Sequence, residues 1–206
     1  FSCHFLLSLY TFMTTPEART GNPPGPSEMI ASSDDATMAL VYASSVATER
    51  KDREVGIGHL LQALTWDTEV GPFLLYHGYT REKGRDALGQ LRGRNRLRRR
   101  LNARPPLTQD LRNLLDRTAL NNLVFSGGLG EVTFWNLLHA IITSNVDGEK
   151  AVPTVLVHEH FQGERVRTTI WKNEGQKILD LSGVDLEKLT QDVTDKVVDQ
   201  YRPKTP

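Results

Sequence analysis

The chain has a single cysteine, Cys3, so it can form no intramolecular disulfide and no thiolate metal cluster. A reducing compartment fits that composition, and the cytoplasm is the expected location. There is no excess of charge either: 25 Lys and Arg balance 25 Asp and Glu. A surface built throughout to grip nucleic acid is thereby excluded, and any such binding has to be local. No apolar run approaches the roughly 20 residues that span a bilayer, so no membrane helix is expected. His-Glu-x-x-His and nucleophile-elbow patterns are both missing. No enzymatic activity, cofactor or metal is expected. What remains is 38% hydrophobic and 24% charged over 206 residues, enough for one substantial domain.

Residues 1–33 read as a disordered leader. Residues 1–12 are mostly apolar, and Met13 followed by Thr14-Thr15-Pro16-Glu17 reads as the true start; a clipped signal-peptide core is the rival reading. Asn22-Pro23-Pro24-Gly25-Pro26 lies in a stretch without apolar periodicity. Ser33 or Asp34 then caps a helix in which Ala36, Ala39, Leu40, Ala43, Val46 and Ala47 recur at helical spacing. Gly56 and Gly58 punctuate a turn before a short helix, His59-Leu60-Leu61-Gln62-Ala63-Leu64. A third helix starts at Pro72 and stops at Gly78. Thr80 caps a fourth that carries Ala87, Leu88 and Leu91 and runs into Leu97 and Leu101. After Pro105-Pro106, Thr108 caps a stripe of Leu111, Leu114, Leu115, Thr118 and Ala119.

The second half repeats landmarks of the first. His59-Leu60-Leu61-Gln62-Ala63-Leu64 aligns with Asn136-Leu137-Leu138-His139-Ala140-Ile141, and Gly78-Tyr79-Thr80-Arg81-Glu82-Lys83 with Gly183-Val184-Asp185-Leu186-Glu187-Lys188. The offset grows between the two pairs, so the second copy holds about 28 extra residues, within about 145–173, long enough to need structure of its own. That insertion contains two β-prone runs, residues 154–161 and 165–171, around Gly163, and predicts a β-hairpin. Its apolar face either packs on the helices or pairs edge to edge with another chain. Helices over 177–181 and 185–198 follow, the latter with Leu186, Leu189, Val193 and Val197 in a stripe, and the chain should fray from Tyr201.

Two repeats of this order resemble the Clp N-terminal (Clp repeat) domain. The closest residues are Val55-Gly56-Ile57-Gly58-His59-Leu60-Leu61, where the family has Val-Gly-Thr-Glu-His-Leu-Leu, and Gly183-Val184-Asp185-Leu186-Glu187-Lys188-Leu189, which is similar to the start of its last helix. The resemblance covers residues 34–201, as repeat 34–104 and repeat 107–201, with 202–206 a disordered tail. It implies an all-α bundle of two pseudo-repeats of about four helices, interrupted here by the hairpin. It also implies a non-catalytic module that binds a protein or peptide: a Clp ATPase, an adaptor or a degradation substrate. ATP hydrolysis, the work of the ATPase that normally follows, is not expected of these residues, since neither Gly148-Glu149-Lys150 nor residues 127–133 fit a phosphate-binding loop. By the same resemblance the expected partner-binding residues are Ile57, Gly58 and His59 in the first repeat and Phe134, Trp135 and Asn136 in the second.

Members of that family that recognise phosphoarginine carry a glutamate in each motif, where this chain has Gly58 and Trp135. Neither can accept hydrogen bonds from a guanidinium, so that activity is not carried over. Glu54 and Glu131 are the nearby acids that could substitute, and Trp135 offers a flat amphipathic surface.

Two other features have sharper and blander readings. His158 and His160, two apart in a predicted strand, could present two imidazoles to a metal, or simply line a polar strand face. Arg92, Arg94, Arg96, Arg98, Arg99, Arg100 and Arg104 form a solvated helix end and linker, or else a patch for an acidic protein. Nucleic acid is the weaker partner for them, because no aromatics are interleaved for base stacking.

Overall fold

The computed structural model describes residue 30 and residues 33–92, 105–126, 131–144 and 172–201. Among these the protein is all α, with eight helices: α1 (Asp34–Arg50), α2 (Ile57–Leu64), α3 (Val70–Tyr76), α4 (Arg81–Arg92), α5 (Gln109–Ser126), α6 (Phe134–Thr143), α7 (Glu174–Leu181) and α8 (Leu186–Tyr201). Most of the leader (all but Ile30 and Ser33), the arginines of the run from Arg94 to Arg104, the predicted hairpin with His158 and His160, and the tail lie outside the described residues. Among the described residues no helix is long and apolar enough to cross a membrane.

α2 and α6 form the centre. Every residue of α2 is buried, as are seven of the ten in α6, and the two helices touch each other while the remaining helices pack around them. An eight-residue helix has too few turns to be stable alone. Its burial supplies what its length does not: Leu60, Leu61 and Leu64 are fully enclosed, each worth about 1.5–3 kcal/mol relative to exposure. α1 approaches α2 along a stripe of alanines, with Ala36, Ala39, Ala43 and Ala47 wholly buried. Small side chains there let the two backbones come close, while Leu40 and Val46 on the flanks remain half-buried.

The segments before α2 and α5 are joined by backbone hydrogen bonds. Val55 N–H donates to Pro106 O at 2.8 Å, and Thr108 N–H donates to Val55 O at 2.9 Å, forming an isolated parallel bridge between Val55 and Leu107. Further along, Thr108 Oγ1 accepts from Leu111 N–H and starts α5, and the stripe from Leu111 to Ala119 faces the core. Thr80 Oγ1 likewise accepts from Lys83 N–H and starts α4. Gly78, at φ +80, ends the α3 turn in the left-handed region where a side chain is disfavoured.

Several boundaries differ from expectation for local reasons. Ile30 is buried, so the core begins inside the stretch read as a leader. Ser33 makes no side-chain cap to α1; its hydroxyl donates instead to Val132 O, tying the start of α1 to the approach to α6. α3 begins at Val70, before Pro72, because Asp67 Oδ1 accepts from the N–H groups of Glu69 and Val70 at 2.9 and 2.7 Å. Leu91, placed in the α4 stripe by spacing, is 40% exposed. Tyr201 does not fray. Its hydroxyl accepts from Asn136 Nδ2 at 3.0 Å and donates to Asn122 Oδ1, which fastens the end of α8 to α5 and α6.

Candidate functional site

The six expected partner-binding residues sit at the N-termini of α2 and α6. At α2, His59 is completely enclosed. Its Nδ1 accepts from Gly56 N–H at 2.9 Å, and its Nε2 donates to Asp52 Oδ2 at 2.8 Å. The first bond fixes the neutral tautomer, because a protonated Nδ1 could not accept. Burial pushes the His59 pKa down and the nearby Arg92 charge adds to that, both against the pull of Asp52. Asp52 is itself buried and also receives Arg50 Nε at 3.1 Å. The Asp–His pair resembles half of a catalytic triad in composition only, since an imidazole without exposure and with both nitrogens engaged is out of hydrogen-bond reach of a substrate.

Gly58 N–H donates to Glu174 Oε2 at 2.9 Å. The Glu174 carboxylate, carried by α7, also takes the Arg92 guanidinium through Nε and through Nη2 at 2.9 Å. Arg92 Nη1 reaches Glu54 O at 3.4 Å. Burial works to raise the Glu174 pKa, but the Arg92 contacts and the Gly58 N–H outweigh it and hold the carboxyl below its usual range. This ion pair lies across the Gly56-Ile57-Gly58 backbone and accounts for Gly56, while the packed ends of Ile178 and Leu88 account for Gly58. A Cβ at Gly56 would come within 1.9 Å of Arg92 Nη2, and one at Gly58 within 2.5 Å of Ile178 Cδ1. A carboxylate therefore does stand beside Gly58, but it is supplied by Glu174, not by Glu54 or Glu131, and it is already occupied by an arginine of the same chain.

At α6, Thr133 and Asn136 cap the helix reciprocally. Asn136 N–H donates to Thr133 Oγ1 at 3.3 Å, and Thr133 N–H donates to Asn136 Oδ1 at 2.9 Å. Trp135 is 8% exposed. Its ring meets Phe73 edge to face with centroids 4.9 Å apart, and its Nε1 donates to Glu69 Oε2 at 3.2 Å. Trp135, read from the sequence as a flat amphipathic surface, packs between α6 and α3. Phe134 is half-buried. Ile57, Gly58, His59, Trp135 and Asn136 are all buried, and they fasten two helix starts.

A second capping box closes α6 from the far end. Asn173 Oδ1 accepts from Gln176 N–H at 2.9 Å, and Gln176 Oε1 accepts from Asn173 N–H at 3.0 Å. The amide nitrogens of the same two residues then donate to the last carbonyls of α6: Asn173 Nδ2 to Ile141 O at 2.6 Å and Ser144 O at 2.8 Å, Gln176 Nε2 to Ile142 O at 2.7 Å. The N-terminus of α7 thus caps the C-terminus of α6. Residues 144 and 173 are consequently held side by side.

Sequence reasoning did not find Asp52, Glu174, Asn173, Gln176 or the anchoring role of Tyr201. One signal was available: Asn173-x-x-Gln176 before Ile178-Leu179 is a capping-box spacing. Nothing in the spacing pairs Asp52 with His59, or Arg92 with Glu174.

Among the described residues no group of three or more His, Cys, Asp or Glu side chains is placed to hold a metal. The better-formed clefts enclose about 50 Å³ and about 20 Å³, against the roughly 300–1,000 Å³ of organic-ligand pockets. No family model matches the chain, and no curated protein matches it.

Proposed function

We propose that the chain is a non-catalytic protein-binding module of the Clp N-terminal-domain type, acting as an adaptor, decoy or regulator of a Clp-type unfoldase. The observation that carries the reading is the placement of the two landmark helices. Leu60 and Leu61 on α2, and Leu137 and Leu138 on α6, are fully buried at the centre of one helical bundle, each helix opened by a residue that caps its own N-terminus. Two pseudo-equivalent units that each drive a short apolar helix into a shared core account for that arrangement, and the duplicated sequence landmarks favour it. The β-hairpin insertion within the second unit belongs to the same proposal, as a device that distinguishes this chain from ordinary domains of the type.

Phosphoarginine recognition is not part of the proposal, because the carboxylate beside Gly58 is neutralised by Arg92. The test is co-sedimentation of the pure chain with an assembled Clp-type unfoldase ring from the source organism, with and without excess of the ring's own isolated N-terminal domain. Stoichiometric binding to the ring, an adaptor or a substrate-loaded ring supports the reading. Absence of all three, or ATP hydrolysis by the chain itself, refutes it.

A further inference from the structure

The C-terminal end of α1, the C-terminal end of α2 and one face of α4 meet around the cleft of about 50 Å³. Its lining is uneven in charge: Arg50, Arg81 and Arg85 face it, against the single carboxylate of Glu49. Arg50 is engaged by Asp52. Arg81 is exposed but fixed in place, its Nε donating to Thr65 Oγ1 and its Nη2 to Thr65 O, both at 3.0 Å, with its guanidinium 5.4 Å from the centroid of the Trp66 ring. Trp66 is held in turn by the edge of Tyr42 at 4.9 Å. Arg85 lies one helical turn beyond Arg81 on α4 and makes no hydrogen bond among the described residues. The cleft therefore combines a fixed guanidinium, a second one at i+4 spacing without a hydrogen-bond partner, and an aromatic wall. Little ordering is needed before it can accept an anion.

We infer that this cleft docks the carboxylate of an Asp or Glu side chain on an acidic peptide segment of a partner protein. The volume admits a carboxylate and its methylene stem but not a nucleobase, and the Trp66 face that a base would need carries Arg81. Planar guanidinium groups match a carboxylate's two oxygens, and Val46 in the lining gives the aliphatic stem an apolar surface. The inference rests on the protein-binding reading above, but not on the identity of the unfoldase.

The experiment uses the full chain and a labelled 12-residue peptide of alternating Glu and Gly or Ser, with its Gln counterpart, read by fluorescence anisotropy and by the Trp66 indole N–H resonance. The Glu peptide should bind and shift that resonance, and the Gln peptide should do neither. Arg81→Gln/Arg85→Gln should weaken binding at least about fivefold, as expected for two partly exposed charge contacts. Arg112→Gln/Lys177→Gln removes the same charge from exposed positions elsewhere and should leave affinity unchanged. Equal losses in the two double variants, an unshifted Trp66 resonance, or tighter binding of oligouridylate than of the Glu peptide would each overturn the proposal. Should the first variant lose its helical signal, the Trp66 resonance of the unaltered chain decides alone. Ring binding without peptide binding would remove the cleft and leave the module; peptide binding without ring binding would do the reverse.

Discussion

Removing the Glu174 charge tests the arrangement around α2 most directly. Glu174 accepts three N–H groups, one from Gly58 and two from Arg92, and both ionic side chains are 22% exposed. That places the pair between two regimes: exposed ion pairs contribute about 0.2–1 kcal/mol, and loss of one member of a fully buried pair costs about 3–5 kcal/mol. Glu174→Gln keeps an acceptor for Gly58 N–H while stranding a half-buried guanidinium, and should cost about 2 kcal/mol, or about 4–8 °C in Tm for a domain of this size. Arg92→Met should cost a similar amount. Because both changes abolish one interaction, the double variant should fall short of additivity by about 1–2 kcal/mol. Urea unfolding of the four proteins at pH 7 measures this. The sign of the pH dependence follows from the depressed Glu174 carboxyl. Its contribution is complete above the unfolded value near 4.5 and is lost as pH falls through the lower folded value, so the coupling should shrink as pH is taken progressively below 4.5. Coupling under about 0.5 kcal/mol at pH 7 would refute the ion pair as an organising contact.

Three further outcomes follow from the same geometry. Gly58→Ala should destabilise the fold by about 1–3 kcal/mol through overpacking, since its Cβ would meet Ile178 Cδ1 at 2.5 Å and Leu88 Cδ1 at 2.7 Å; an unchanged urea midpoint would contradict that packing. Burial lowers the pKa values of His59 and His139, so the unfolded chain binds protons that the folded one refuses. Stability should then decline below about pH 6.5, by up to about 1.4 kcal/mol per pH unit for each histidine, and His59→Asn should reduce the slope; a flat profile from pH 7.5 to 5.5 would exclude the neutral assignment. Replacing residues 146–170 by a short Gly-Ser linker should preserve the circular-dichroism helix signal, whereas Asn173→Ala in the intact chain should cost about 1–2 kcal/mol, the worth of a lost cap; the reverse ranking would show that the α6–α7 junction depends on the intervening chain.

Helix identity was legible because each helix announces itself locally. The alanine stripe of α1, the Leu111 to Ala119 stripe of α5 and the Leu189, Val193, Val197 stripe of α8 all appear at helical spacing and all face the core. Helix starts were legible where a threonine stands alone before the stripe, as Thr80 and Thr108 do. Where two caps compete, the tertiary partner decides: Ser33 turns to Val132, and Asp67 moves the start of α3 forward. The site was less legible, because its partners are far apart in sequence. Arg92 belongs to a run of arginines and reads as solvated, until a carboxylate 82 positions away claims it. The packing of Trp135 was not legible because its neighbour Phe73 comes from the other half of the chain. His59 is the converse case: its value lies in two hydrogen bonds that spacing alone does not predict.

The capping of α6 by Asn173 and Gln176 has a consequence for how this protein can vary. Because Asn173 grips the carbonyls of Ile141 and Ser144, the two ends of whatever sequence runs from 145 to 171 are riveted side by side. The entropy of closing such an excursion rises only with the logarithm of its length, about 0.6 kcal/mol for each doubling. Foreign sequence of many lengths could be grafted there at little thermodynamic consequence, so relatives sharing this bundle are free to differ most at that junction, and an epitope or fluorescent reporter inserted between 145 and 171 should leave the eight helices as they are.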